Sequence, residues 1–206
     1  MRYRGVPAAV LLPQLFLAAG WLRAAIAHTF DGTWWSGAYI RGFVAFETSA
    51  AIGLYRPFLD HVVLSMPTIT ALIVVSIQVA VGVMLIFNYR PMRAVLIGAF
   101  LNLQFLLAGA VNPSTFYLVL ALVVVLWRME RSNSVSTSRR LARAVAILAG
   151  VTTVFMLPYI ATPSPDGAIE DPALVLIFIS LLFATATWWT YRRVASLRHL
   201  QLIGID

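Results

Sequence analysis

The sequence predicts an all-α integral membrane protein with six transmembrane helices. Three observations predict it. The chain is 61% hydrophobic and only 11% charged, whereas a soluble domain carries about 25% charged residues. Its mean hydropathy is +0.87, and the apolar residues gather in runs long enough to cross a hydrocarbon core of about 30 Å. The fifteen basic residues, all arginine, sit in short clusters between those runs. Membrane proteins mark their cytoplasmic side in this way, so the net charge of +7 points to lipid and not to nucleic acid.

The first run is Pro7 to His28, preceded by Arg2 and Arg4. A rival reading makes it a signal peptide cleaved after Ala25-Ile26-Ala27, although Arg23 then falls where such peptides are uncharged. Residues 29–65 are mixed and form an outer loop. Within it, Ser36 to Ala51 spaces Tyr39, Ile40, Phe43, Phe46 and Ala50 as one helical face against Arg41 and Glu47. That pattern predicts an amphipathic interfacial helix, with Trp34 and Trp35 at headgroup level. Phe58 to Ser65 reads as a short or re-entrant piece.

Met66 to Asn88 is the second span and begins with Pro67, which suits a first helical turn. A basic turn, Tyr89 to Arg93, leads to the third span, Met92 to Val111. Asn112-Pro113-Ser114 then predicts a tight antiparallel hairpin into a short fourth span, Pro113 to Met129. These four spans make residues 1–129 a membrane core. Residues 130–141 are Ser- and Arg-rich and predict a flexible cytoplasmic linker. Residues 142–206 add a fifth span, Ala142 to Ala161, an acidic loop, Thr162 to Pro172, and a sixth span, Pro172 to Tyr191. The basic tail carries Arg192, Arg193, Arg198 and His199.

With both termini cytoplasmic, twelve of the fifteen arginines fall on the inner side; Arg41 and Arg56 lie outside, and Arg23 lies in a span. An inner-membrane location with membrane lipids as partners follows. The chain has no cysteine, which excludes disulfides, thiolate metal sites and iron–sulfur clusters within it.

The stretches GWLRAAIAHTFDGTWWSG, IQVAVGVMLIFNYRPMRAVLIGAFLNLQFLLAG and NPSTFYLVLALVVVLW together resemble the DoxX/DoxD superfamily of membrane proteins over about residues 11–127. Arg23 stands where members usually carry Lys, and Gln78 where many carry Glu. The resemblance implies a four-helix membrane core and a link to quinone or sulfur redox chemistry, with partner subunits in a larger complex; the all-arginine basic composition suggests a bacterial source.

The candidate site is a set of polar side chains within apolar sequence: Arg23, Gln78, Asn102, Gln104 and Asn112. Amides at bilayer depth need partners, so these groups should face protein or a cavity. Two readings stand: interhelical glue, each bond worth about 0.6–2 kcal/mol, or a pocket for a quinone or another polar-headed lipid. His28 and His61 are weak candidates for a metal or haem, without ligand spacing. The leading expectation is a membrane subunit of a quinone-linked redox system. The alternatives are a non-catalytic accessory subunit and a small transporter.

Overall fold

The computed structural model describes residues 5–46, 51–131, 135–161 and 169–202. Arg2, Arg4, Glu47, residues 132–134 and most of the acidic loop (162–168) lie outside them.

Every regular element among the described residues is helical. Helix α1 (Ala8–Thr29) leads into short pieces at its C-terminal end: α2 (Gly32–Trp35), α3 (Ala38–Phe46) and α4 (Arg56–Phe58), which runs into a π-turn, Leu59–Val63. Helices α5 (Pro67–Ile86), α6 (Pro91–Leu107), α7 (Val111–Arg131), α8 (Val135–Met156) and α9 (Pro172–Leu202) then alternate in direction. Five of these, α1, α5, α7, α8 and α9, are long and apolar enough to cross a membrane. The remaining expected span, α6, has 17 residues, about 25 Å of helix.

The end of the bundle bearing residues 30–66 is here termed the loop end, and the opposite end the turn end. Helix α1 is central, packed on α5 and α7. Its Ala18 and Trp21 are buried with Val81 and Leu85 of α5 and Val124 of α7. The α1–α5 approach is close because of Gly82: a Cβ there would meet Leu22 Cγ at 2.6 Å and the Ala18 carbonyl oxygen at 3.2 Å. Small residues drive helix association in lipid, where apolar side chains gain nothing by avoiding solvent. Helices α8 and α9 form a hairpin that joins the rest chiefly through α9 against α7.

Several boundaries differ from expectation. The α6–α7 reversal lies at Ala108 to Ala110, where Gly109 takes φ 99, a left-handed conformation that glycine adopts without strain. Asn112 and Pro113 therefore belong to the first turn of α7, where the missing proline N–H costs nothing. The linker is shorter than its composition implies. Glu130 and Arg131 end α7, and Val135 to Leu141 are the first turns of α8. They are helical because Ser138, Ala142 and Ala149 are buried along one stripe facing α9. Helix α9 also runs past Tyr191 to Leu202. Trp34 is no headgroup anchor: it is 3% exposed and its Nε1–H donates to the Ala71 carbonyl at 3.2 Å. Trp188 and Trp189 do face outward, at 43% and 63% exposure.

Candidate functional site: a roofed apolar cavity

A cavity of about 600 Å³ lies between α1, α5, α6 and α7 at the loop end, under the 34–66 segment. Its size is within the range of about 300–1,000 Å³ typical of small-molecule sites. Most of its wall is apolar or aromatic; the amide groups lining it are Gln78, Asn102 and Gln104.

Helix periodicity brings these amides together. Gly98 of α6 is buried against Val81 of α5 and the Trp21 indole of α1. From that contact, Gln78 is three residues further toward the loop end on α5. Asn102 is four residues further toward the same end on the antiparallel α6. The two amides therefore come level, and spacings of three and four keep each on the face of its contact residue. Gln78 is 2% and Asn102 3% exposed.

The Oε1 of Gln78 is buried without a hydrogen-bond partner. A buried, unmet acceptor costs about 1–3 kcal/mol. Structural glue is the reading in which each amide is satisfied by a neighbouring helix, and Gln78 is not satisfied in that way. Gln104, a turn further out, has a partner: the Tyr55 hydroxyl donates to its Oε1 at 2.8 Å. Burial pushes the Tyr55 phenol up to about 12, so at neutral pH it stays a donor.

The roof over the cavity is held by three long-range bonds. They are Trp34 Nε1–H to the Ala71 carbonyl, the Ile52 amide to the Leu107 carbonyl at 3.1 Å, and Tyr55 to Gln104. Gly37, at φ 74, lets the α2–α3 turn lie against Pro67. Asp31 caps α2 through bonds from the Thr33 amide and hydroxyl, and those bonds hold its carboxyl below the usual range.

The other expected site residues are placed differently. Arg23 is exposed on α1 and is not part of the cavity wall; its neighbours Trp21 and Ala24 are. The Asn112 side chain lies outside the described residues. His28 lines the cavity and stacks on Trp34, with ring centroids 3.7 Å apart and planes at 14°. His61 is exposed on the π-turn. Among the described residues, no group of three or more histidine, aspartate or glutamate side chains is gathered as for a metal.

A second polar cluster, at the turn end, escaped the sequence reading. Gln14 is fully buried; its Nε2 donates to the Leu85 carbonyl at 2.9 Å and to Asn88 Oδ1 at 3.2 Å. Arg128 donates to the same Asn88 oxygen at 2.9 Å and lies 4.7 Å from the Trp127 ring centre. Asn88 itself has φ 49, a left-handed conformation that asparagine tolerates better than most residues. This cluster ties α1 and α7 to the α5–α6 turn. The signal was present in Gln14, an amide four residues before Ala18 and seven before Trp21 on one helix face.

Compared with known family models, curated proteins and solved structures, the chain finds no match.

Proposed function

We propose that this chain is a DoxX-like membrane subunit of a quinone-linked redox system, and that the roofed cavity is its quinone site. The observation that carries the reading is a largely apolar cavity at bilayer depth with three amide side chains, Gln78, Asn102 and Gln104, in its wall. A quinone matches such a site: its ring and isoprenoid tail fit apolar walls, its carbonyls accept from the amide N–H groups of Gln78, Asn102 and Gln104, and its reduced hydroquinone form also donates to the amide oxygens. Electrons come from a partner's cofactor or directly from substrate, since the chain supplies no cysteine. In this reading α6 is the sixth span, shortened by its tight turns. The protein lies in a bacterial inner membrane with both termini cytoplasmic, consistent with the arginine distribution.

The amides bind and orient but do not transfer protons at neutral pH. Tyr55 is held protonated, so proton exchange with the head falls to His28 at the cavity wall or to a partner subunit. The test is purification in mild detergent followed by solvent extraction and quinone analysis. Stoichiometric quinone in the wild type and about tenfold weaker retention in Gln78→Leu support the reading; a wild-type protein that carries none and takes up none overturns it.

A second reading, a non-catalytic accessory subunit, is favoured by α8. Ile147, Leu148, Val154 and Phe155 are each at least 59% exposed on that helix, and none lines the cavity. Co-purification with larger redox subunits that survives Gln78→Leu unchanged, with no quinone bound, supports this reading instead.

A further inference from the structure

We infer that the cavity is loaded sideways from the bilayer, through an apolar opening bordered by α5 and α6, and that its ligand is a membrane-dissolved amphiphile with a hydroxyl-bearing head. The inference rests on the reading of the cavity as a ligand site and adds the route and the chemistry of the head.

The route follows from where the most exposed large lining residues lie. Ile69 and Ile73 of α5 line the cavity and are each 53% exposed; Phe100 of α6 lines it and is 61% exposed. Val62 and Met66 continue the same border toward the loop end, at 40% and 46% exposure. Ile69 and Ile73 are four residues apart and share a helix face. All five side chains are apolar. Ile73 is six residues into α5, about 9 Å below the start of the span, and Gln78 is about 16 Å below it. An apolar opening at that depth meets lipid tails, not water.

The described roof is tied to the bundle by contrast. Trp34, Ile52 and Tyr55 are bonded down to α5 and α6, and Trp34, Ile40 and Val44 are its buried side chains. Where other lining residues of the roof are exposed, at Tyr39 and Phe58, they are aromatic and not charged. A lipid-phase ligand need only slide between Ile73 and Phe100.

The head chemistry follows from Gln78. With Asn102 and Gln104 it lines the cavity, and a primary amide both donates and accepts, so the matching head carries a group that does both; among lipid-phase heads that is a hydroxyl. Gln104 already accepts from Tyr55, which leaves its Nε2 hydrogens to donate to an oxygen of the same head. A hydroquinone head supplies both a donor and an acceptor at each oxygen.

The test uses the full chain in lipid nanodiscs and decyl-tailed hydroquinone as probe, read by quenching of tryptophan emission, since Trp21 and Trp34 line the cavity. Saturable quenching is expected, with binding slowed about tenfold in the double variant Ile69→Phe/Ile73→Phe. Ile86→Phe, on α5 but away from the cavity, should match the wild type. Hydroquinone without a tail should not compete, and the dimethyl ether of the probe should bind about tenfold more weakly to the wild type but equally to Gln78→Leu. Equal rates in the double variant, or competition by the tail-less head, overturn sideways loading. Equal binding of the ether to the wild type overturns the hydroxyl assignment. No saturable quenching by any probe sinks the cavity's function itself, a separate outcome from either failure.

Discussion

The Tyr55 hydroxyl donates to Gln104 Oε1 across 49 residues of sequence, and this contact joins the roof of the cavity to its wall. Tyr55 sits at the N-terminus of the short α4 helix, its ring tilted at 37° to that of Phe58 with centroids 5.0 Å apart. Removing the hydroxyl leaves the ring packing intact and removes one of the two described bonds from the roof to α6, the other being Ile52 N–H to the Leu107 carbonyl. Tyr55→Phe should lower stability by about 1–2 kcal/mol, seen as an earlier thermal transition in detergent. It should also raise proteolytic cleavage between residues 51 and 66. Unchanged melting and cleavage would show that the contact does not hold the roof.

The same phenol sets an alkaline limit. Its folded pKa, about 12, stands above the ordinary value of 10.0 because burial disfavours the phenolate. Between these values the unfolded chain has released this proton and the folded chain has not. The unfolded state thus binds fewer protons, and stability falls as pH rises through that window. The expected outcome is a melting temperature that declines between pH 10 and about 12 more steeply in the wild type than in Tyr55→Phe. Parallel curves for the two proteins would refute the assignment.

Gln78→Leu separates stability from function. Leucine has nearly the volume of glutamine and removes the unmet acceptor, so stability should hold or rise by up to about 2 kcal/mol. Quinone binding should weaken about tenfold. A polar residue whose removal stabilises the fold while weakening binding is kept for its ligand. Marked destabilisation with binding intact would return Gln78 to the role of interhelical glue.

The amide pair illustrates what the chain discloses by itself. Gln78 and Asn102 stand out because they interrupt apolar runs, and helix spacing alone puts each beside a glycine on its own face. The existence and direction of the long helices were equally legible, because hydrophobic length maps directly onto membrane thickness. Arg23 was legible as an anomaly, with a site residue and a side chain snorkelling to the outer surface as its two readings; the choice between them was not legible, since it depends on how α1 is rotated against α5 and α7. Tyr55 gave no local signal: its partner is on another helix. The Ser-rich stretch misled for a related reason. Ser138 reads as a linker residue until the α8–α9 contact buries it, and packing then overrides composition.

Gly82→Ala tests the α1–α5 contact. The added methyl would meet Leu22, whose side chain can rotate, and also the Ala18 backbone oxygen, which cannot. The helices must therefore move apart, at a cost of about 1–3 kcal/mol. Gly20→Ala makes a useful comparison, because its Cβ would collide with the Tyr117 hydroxyl at the cavity wall. That ring can tilt into the cavity. Gly82→Ala should thus lower stability more, and Gly20→Ala should lower ligand affinity more. The opposite ranking in thermal melts and binding isotherms would mean that the α1–α5 seam yields more easily than the Tyr117 ring.

The turn-end cluster makes a prediction about coupling. Gln14 and Arg128 donate to one oxygen of Asn88. Remove either donor and the other still serves that oxygen, now without competition. Remove both and the oxygen loses both of these bonds, while the α5–α6 turn loses its ties to α1 and α7 through it. Single substitutions Gln14→Leu and Arg128→Met should each be mild for this reason. The double variant should cost more than their sum, by about 0.5–3 kcal/mol, the range seen for residues sharing a partner. Arg128→Met retains apolar contact with Trp127, so the cycle reports the shared oxygen rather than lost ring packing. If the two effects add within about 0.3 kcal/mol, each donor acts alone and Asn88 does not couple the three segments.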